Sequence, residues 1–254
     1  MDVKVGSKTD RGRKRLLNED SLCCAKEVGL FVLSDGMGGH KAGDVASKIA
    51  VETVAENFKA NELKKNRSVL QVYNKEFSKE TNKLAGTVGL ANSKIYETAR
   101  KSPEYDGMGA TIVSVLLSDG MMSMAYVGDS RIYLIRDGEI RQLSNDHSLV
   151  SEQLRRGLIT EQEARNSKQR NVITRALGTD KSVEVEMAEE VILDNDYILM
   201  CSDGLHDMVK DEEVMHTVLS FPGKPQKACD SLVELANNKG GNDNISVIVL
   251  HFSE

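Results

Sequence analysis

Apolar positions along this chain follow two different periods, and the change comes near Gly109. Before it, Val45, Ile49, Thr53, Val54 and Phe58 recur at helical spacing. A polar break, KANELKKNR, follows. Then Leu70, Tyr73, Phe77, Leu84, Val88, Ala91, Ile95 and Ala99 predict one long helix or two consecutive ones, with Gly86 and Gly89 weakening the continuity. Leu30 to Leu33 reads as a short strand. From Gly109 onward, ATIVSVLL, MSMAYV, RIYLIR and EIRQL are short, β-rich and separated by turn residues. SLVSEQLRRGLITEQEARN returns to helical spacing with a break at Gly157. VEVEMAEE sets Val183, Val185 and Met187 against glutamates, as a half-exposed strand does. YILMC reads as a buried strand, two short helices are expected at about 211–219 and 224–237, and NISVIVLHF reads as a final strand. Helices, a block of strands, helices and a strand predict α+β layering and not alternating βαβ units.

Composition narrows the class. At 254 residues the chain suits one β-rich domain with a core that needs no staples. No proline-rich hinge, low-complexity linker or sustained repeat divides it. A net charge of -6 argues against a general nucleic-acid partner. The opening MDVKVGSKTDRGRKRLLNED carries charges and no apolar core of a signal peptide, so no secretory signal is expected. No apolar run approaches the ~18 residues of a membrane helix, so no membrane insertion is expected either. Cys23, Cys24, Cys201 and Cys229 form no C-x-x-C pair and read as reduced, mostly buried thiols of a cytoplasmic protein.

The tripeptide SDG occurs three times, with aspartates Asp35, Asp119 and Asp203, each after a short apolar run. Asp119-Gly120 joins two strand patterns directly and reads as a type I′ hairpin, which needs positive φ. Asp137-Gly138, between RIYLIR and EIRQL, reads the same way. Asp35 and Asp203 instead end strands that lead through loops into helices, where a site can be built. Asn18-Glu19-Asp20, Gly128-Asp129-Ser130 and Asn242-Asp243-Asn244 lie in similar settings. Taken singly, each is a turn or a cap. Converging, such carboxylates repel one another and call for a cation, and an all-oxygen set suits Mg²⁺ or Mn²⁺.

Other chemistries lack their residues. There is no G-x-x-x-x-G-K-[ST] loop and no H-E-x-x-H, and Lys41 interrupts a dinucleotide-type G-x-G-x-x-G in GMGGHKAG. No cysteine has an arginine six residues later, which removes the cysteine-dependent phosphatase loop.

RKRLLNEDS, LSDGMGGHKAG, GMGATIV, VGDSRIYLIRDG, DHSLV, RNVITRALG, CSDGLHD and GGNDNIS occur in the order and spacing of the PPM (PP2C) family of metal-dependent protein Ser/Thr phosphatases. The chain resembles the bacterial single-domain branch over roughly residues 3–251. The resemblance implies a central β-sandwich of two mostly antiparallel sheets flanked by helical layers, in the order α-β-β-α. It implies one catalytic domain over 1–254, with a flap at about 148–171. It also implies two Mn²⁺ or Mg²⁺ ions and a weaker third. On this pattern Asp35 bridges the two main ions and the Gly36 carbonyl binds one. Asp203 and Asp243 complete one side, Asp20 binds the other ion, and Glu19 acts through water. Asp129 and Asp203 serve the third ion, and Arg15 grips the substrate phosphate. The implied reaction is direct in-line attack of metal-bound water on phosphoserine or phosphothreonine, by a monomer that opposes a Ser/Thr kinase.

Two features depart from the pattern. Met37 stands where eukaryotic relatives carry a histidine, and the nearby His40 reads equally as a surface residue. The region around 60–90 is longer than the family requires and has no assigned role. Asp146 and His147 match a family motif but read as structural. Two alternatives stay open at this point: a catalytically dead domain that binds phosphoproteins, and a phosphatase acting on small metabolites.

Overall fold

The computed structural model describes residues 2–38, 42–59 and 73–253. Its strands are β1 (Asp2–Asp10), β2 (Asp20–Ala25), β3 (Leu30–Met37), β4 (Gly109–Ala110), β5 (Ile112–Ser118), β6 (Met121–Val127), β7 (Arg131–Arg136), β8 (Glu139–Gln142), β9 (Glu186–Val191), β10 (Tyr197–Cys201) and β11 (Ile245–Ser253). Its helices are α1 (Gly43–Lys59), α2 (Lys79–Ala99), α3 (Leu149–Arg155), α4 (Glu161–Asn166), α5 (Asp203–His206), α6 (Asp211–Leu219) and α7 (Pro225–Asn238). One sheet has the order β1-β11-β10-β7-β8, and the other β2-β3-β5-β6-β9 with β4 continuing along β3.

The two-residue period of the strands builds the layers. Along β3, Phe31 and Leu33 face the other sheet, where they cluster with Val113 and Met124 of their own sheet and with Ile132, Ile198, Met200 and Ile248 of the facing one. Leu30 and Val32 point the opposite way, onto Ala46, Ala50 and Val54 of α1 and Leu84, Val88 and Ile95 of α2. The other sheet repeats the arrangement, with Leu199, Val247 and Val249 against Val214, Leu232 and Val233 of α6 and α7. Each fully buried side chain of this size contributes about 1.5–3 kcal/mol. The result is the expected α-β-β-α order, and the pairings among the described residues are antiparallel.

Several elements differ from their expected bounds. α2 is continuous through Gly86 and Gly89 and starts only after Ser78, whose side chain accepts from Thr81 N at 3.2 Å. Tyr73 and Phe77 therefore precede the helix, while Leu70 and the rest of the 60–72 stretch lie outside the described residues. Nothing lies within 4 Å of a Cβ built on Gly89, so its cost is one of propensity, about 1 kcal/mol, offset by the buried Leu84, Val88 and Ile95. β9 begins at Glu186; Val183 and Val185 pack against the helix-side core instead of pairing. β1 was not foreseen, because charges alternate through VKVGSK, yet it pairs with β11 along its whole length. β3 runs on past Leu33, so Asp35 lies within the strand and not after it, and Asp203 opens α5. Among the described residues no helix is long and apolar enough to cross a membrane.

Candidate metal centre and phosphate site

Strand register gathers the acidic residues. Asp20 opens β2 directly opposite Asp35 on β3. Asp35 shares the parity of Phe31 and Leu33, so its carboxylate emerges between the sheets at one end of the sandwich. On the facing sheet Cys201 pairs with both Val247 and Arg131. The residues just beyond these positions, Asp203, Asp243 and Asp129, therefore leave the sheet at that same end. Glu19 and Gly36 adjoin Asp20 and Asp35, and Gly36 N donates to Glu19 O at 3.2 Å.

The opposite end holds the hairpins. β5 and β6 close at Ser118–Met121 around Asp119 at φ 50 and Gly120 at φ 79. β7 and β8 close at Arg136–Glu139 around Asp137 at φ 53 and Gly138 at φ 78. Positive φ at both central residues fits the expected type I′ turns.

Crowding shapes the electrostatics. Burial, followed by repulsion from Asp20, Asp203, Asp129 and Asp243, holds the Asp35 carboxyl well above the usual range. Asp203 is held up by burial, then by Asp129, Asp243 and Asp207. Both are enclosed by protein on most sides yet keep some contact with solvent. Burial lifts Asp20 to about 6 against the hydrogen bonds of Ser246 and Ser202, and lifts Asp129 to about 7 with help from Asp146. Asp20 Oδ1 and Asp203 Oδ1 are buried without a hydrogen-bond partner. Such orphaned oxygens are costly unless something else satisfies them.

Arg15 stands at the mouth. Its Nη2 lies 2.6 Å from Asp243 Oδ2, and that hydrogen bond raises the guanidinium further above its ordinary value. A cleft of about 320 Å³ opens here, lined by Arg15, Arg170, Asn171, Asp203, Asp207 and Asp243 among others. Arg170 belongs to the 148–171 segment, whose two ends are joined by a bridge between Ser148 and Ile173. From there Arg170 reaches Asp207 at 3.8 Å.

These residues suit hard divalent cations in donor chemistry and in charge. The donors are oxygens, two of them orphaned, and a cation relieves the repulsion that raises the carboxyls. A Cβ on Gly36 would lie 2.0 Å from Gly43 O and 2.7 Å from Glu19 O, so only glycine lets these carbonyls crowd together. Among the described residues no three His, Cys, Asp or Glu side chains form a ready-made coordination shell. Of the acids, Asp203, Asp207 and Asp243 line the cleft itself. His40 lies outside the described residues.

Sequence reasoning missed the residues that hold the acids in place. Asp35 N donates to Thr111 Oγ1 at 3.1 Å, Thr111 N donates to Asp35 O at 2.8 Å, and Thr111 Oγ1 lies 2.7 Å from Ser130 Oγ. Ser202 Oγ donates to Asp20 Oδ2 at 2.9 Å and accepts from Ser246 N at 2.9 Å. Asn244 accepts from Glu19 N at 2.8 Å and donates to Arg11 O at 3.0 Å and Leu17 O at 2.8 Å, clamping the loop that carries Arg15. His206 Nε2 lies 3.1 Å from Asp129 O; burial pushes this histidine down to about 3, so it is neutral and donates there. Ser130, Ser202 and Asn244 neighbour acids already singled out, which is the one signal that pointed to them, while Thr111, His206 and Ser246 carry no such signal.

Known proteins share this chain's sequence and fold over nearly its whole length. The family model described as protein phosphatase 2C matches residues 12–245. The serine/threonine phosphatase stp of Listeria monocytogenes is 35% identical over 246 residues, covering 96% of this chain and 93% of the relative. The crystal structure of serine/threonine phosphatase Stp1 from Staphylococcus aureus superposes with a TM-score of 0.88 at 35% identity, covering 100% of this chain and 96% of that one. The catalytic domain of the serine/threonine protein phosphatase PstP, solved in complex with two manganese ions, has a TM-score of 0.83 at 32% identity, with 99% of each chain covered. The fold and the sequence are thus shared over nearly the full length with enzymes of known class: the chain belongs to the protein phosphatase 2C family and is a protein serine/threonine phosphatase.

Proposed function

We propose that this phosphatase hydrolyses phosphoserine and phosphothreonine esters directly with water, using two Mn²⁺ or Mg²⁺ ions and a weaker third, as one catalytic domain spanning 1–254 with its flap at about 148–171. The observation that carries the reading is a cluster of mutually repelling buried acids, two with orphaned oxygens, of which Asp203 and Asp243 line a cleft together with Arg15. Divalent cations supply charge neutralisation for the phosphoryl oxygens and lower the pKa of water.

The chain's own residues divide the work. Asp35, Asp20, Asp203 and Asp243 hold the two main cations with the Gly36 carbonyl, Glu19 assists through water, and Asp129 joins Asp203 at the third. Arg15 binds and orients the phosphate, since a guanidinium can fork onto two oxygens where an ammonium cannot. His206 is neutral and keeps the Asp129 turn in position. Cys24, Cys201 and Cys229 are poor nucleophiles: burial pushes Cys24 up to about 11, Cys229 up to about 12 and Cys201 further up, leaving them as neutral thiols at neutral pH. Asp119 and Asp137 are hairpin residues only.

Its substrates are phosphorylated proteins, and the enzyme opposes a Ser/Thr kinase in the cytoplasm as a monomer. Manganese is found in the PstP relative, which favours that ion as the first to test. The decisive experiment is release of phosphate from a phosphothreonine protein in Mn²⁺, with and without excess chelator. Turnover should vanish on chelation, and undiminished activity would overturn the two-cation reading. Phosphoprotein levels in cells with and without this protein test the opposition to a kinase.

A further inference from the structure

Arg13, Lys14, Arg15, Leu16 and Leu17 are consecutive and all exposed, and Arg15 at their centre lines the cleft. A single exposed leucine is ordinary. Here Leu16 is 88% exposed, more than any other large hydrophobic among the described residues, and Leu17 follows at 47%. Both come immediately after the residue assigned to the phosphate.

The backbone beneath them is pinned. Arg13 N and Lys14 N both donate to Gly241 O, at 2.7 and 3.2 Å. Asn244 holds the carbonyls of Arg11 and Leu17. Gly12 sits at φ +76, where an added Cβ would lie 2.1 Å from Asp243 O. The side chains are therefore displayed on a fixed edge, and a partner meets them without having to order the loop first. The edge is also divided: cations precede Arg15 and apolar groups follow it. On a chain of net charge -6, the cationic stretch RGRKR stands out beside an acidic cleft.

We propose that Arg13, Lys14, Leu16 and Leu17 form a specificity rim for an extended phosphorylated segment of a substrate protein. Acidic residues on one side of the phosphorylated residue meet Arg13 and Lys14. A bulky apolar residue on the other side covers Leu16 and Leu17. Charge complementarity fixes the first half of the site and the exposed apolar pair fixes the second. The inference rests on the reading of the cleft as the protein phosphatase site.

The test is steady-state kinetics of the full chain in saturating Mn²⁺ on three substrates. These are a phosphothreonine peptide flanked by acidic residues on one side and leucine on the other, the same peptide with glycine and serine flanks, and p-nitrophenyl phosphate. The wild type should favour the first peptide over the second. Arg13→Gln with Lys14→Gln should lower kcat/KM on the first peptide about five-fold, with the loss shrinking in high salt. Leu16→Ser with Leu17→Ser should lower it about ten-fold. Both pairs should leave p-nitrophenyl phosphate within about two-fold of wild type, since that ester is too small to span the rim. Equal losses on all three substrates would mean that the loop only holds Arg15, and unchanged kinetics on both peptides would mean that the rim reads nothing; either result overturns the proposal. A wild type inactive on every substrate would instead sink the catalytic reading itself.

Discussion

Stripping divalent cations from this protein should make its stability fall as pH rises through the neutral range. Asp20 and Asp129 are nearly buried, and their carboxyls rise from 3.8 to about 6 and about 7. A group whose folded pKa is raised contributes stability that is complete below its unfolded pKa, here near 4, and lost as pH climbs through the folded value. Taken separately, the two shifts correspond to about 3 and about 4 kcal/mol. They belong to one interacting cluster, so the combined loss is less than their sum, on the order of 5 kcal/mol. For a chain of this length each kcal/mol moves Tm by about 2–4 °C, giving a fall of roughly 10–20 °C between about pH 4 and 8. Glu186, held down to about 2 mainly by its hydrogen bond from His147, works in the opposite sense but only below its unfolded value of 4.5. The assay is thermal unfolding by circular dichroism across this pH range, in chelator and in saturating Mn²⁺. Mn²⁺ should cut the fall by roughly half or more, because it binds the ionised folded site and adds about 2.7 kcal/mol at a hundred times its Kd. Asp129→Asn in chelator should flatten the fall, leaving the part carried by Asp20, Asp35 and Asp203, which are raised in the same sense. A metal-free Tm that stays constant from about pH 5 to 8, or one that falls equally in Mn²⁺, would refute the reasoning.

Three further outcomes are expected. Asp35→Asn and Asp203→Asn should each nearly abolish turnover in a folded protein, whereas Asp119→Asn should keep wild-type rates and change stability by less than about 0.5 kcal/mol, since asparagine suits the same turn; initial rates in saturating Mn²⁺ with circular dichroism decide. Arg15→Ala should raise KM on phosphopeptides more than it weakens Mn²⁺ binding measured by calorimetry, and an unchanged kcat/KM would remove Arg15 from the site. Replacing residues 150–168 with a short linker should impair phosphoprotein turnover more than that of p-nitrophenyl phosphate; equal loss on both would mean that the segment supports the acids directly.

Much of this arrangement was legible along the chain, for physical reasons. Strands β5 to β8 announced themselves because turn residues bound each short apolar run, and Asp119-Gly120 and Asp137-Gly138 mark hairpins through a backbone need that local sequence can state. The acids of the site were legible as candidates, since each follows or precedes an apolar run. That they share an end was not, because it depends on Asp20 standing opposite Asp35 and on Cys201 standing opposite both Arg131 and Val247. Such registers join residues far apart in sequence and leave no local period. β1 escaped for a related reason: it covers an edge of the sandwich, so its polar positions read as loop until β11 pairs with it. Asn244 looked like one more turn former, and only the fold makes its side chain a clamp on Arg11, Leu17 and Glu19.

The serine before each SDG aspartate separates the three copies more sharply than the aspartate does. Ser34 Oγ donates to Thr111 O at 2.6 Å, tying β3 to the residue that also bonds Asp35. Ser202 Oγ ties the β10 end to Asp20 and β11. Both serines are fully buried, and neither bonds its own aspartate in these contacts; Ser202 reaches Asp20 itself, and Ser34 reaches Thr111, which in turn contacts Asp35 N and Ser130 Oγ. Ser118, half-exposed in the hairpin, reaches only Asp119 beside it at 3.2 Å. A buried hydroxyl must find a partner or cost the fold about 1–3 kcal/mol, so the first two serines fix their strand ends at the cleft. That rigidity is what a repelling cluster requires. Carboxylates on loose loops would swing apart to reduce their mutual repulsion, whereas acids at wired strand ends keep the repulsion, and with it their demand for a cation. The fold thus holds a locally unfavourable site together with hydrogen bonds made at its rim, and those bonds separate a metal-seeking SDG from a chain reversal.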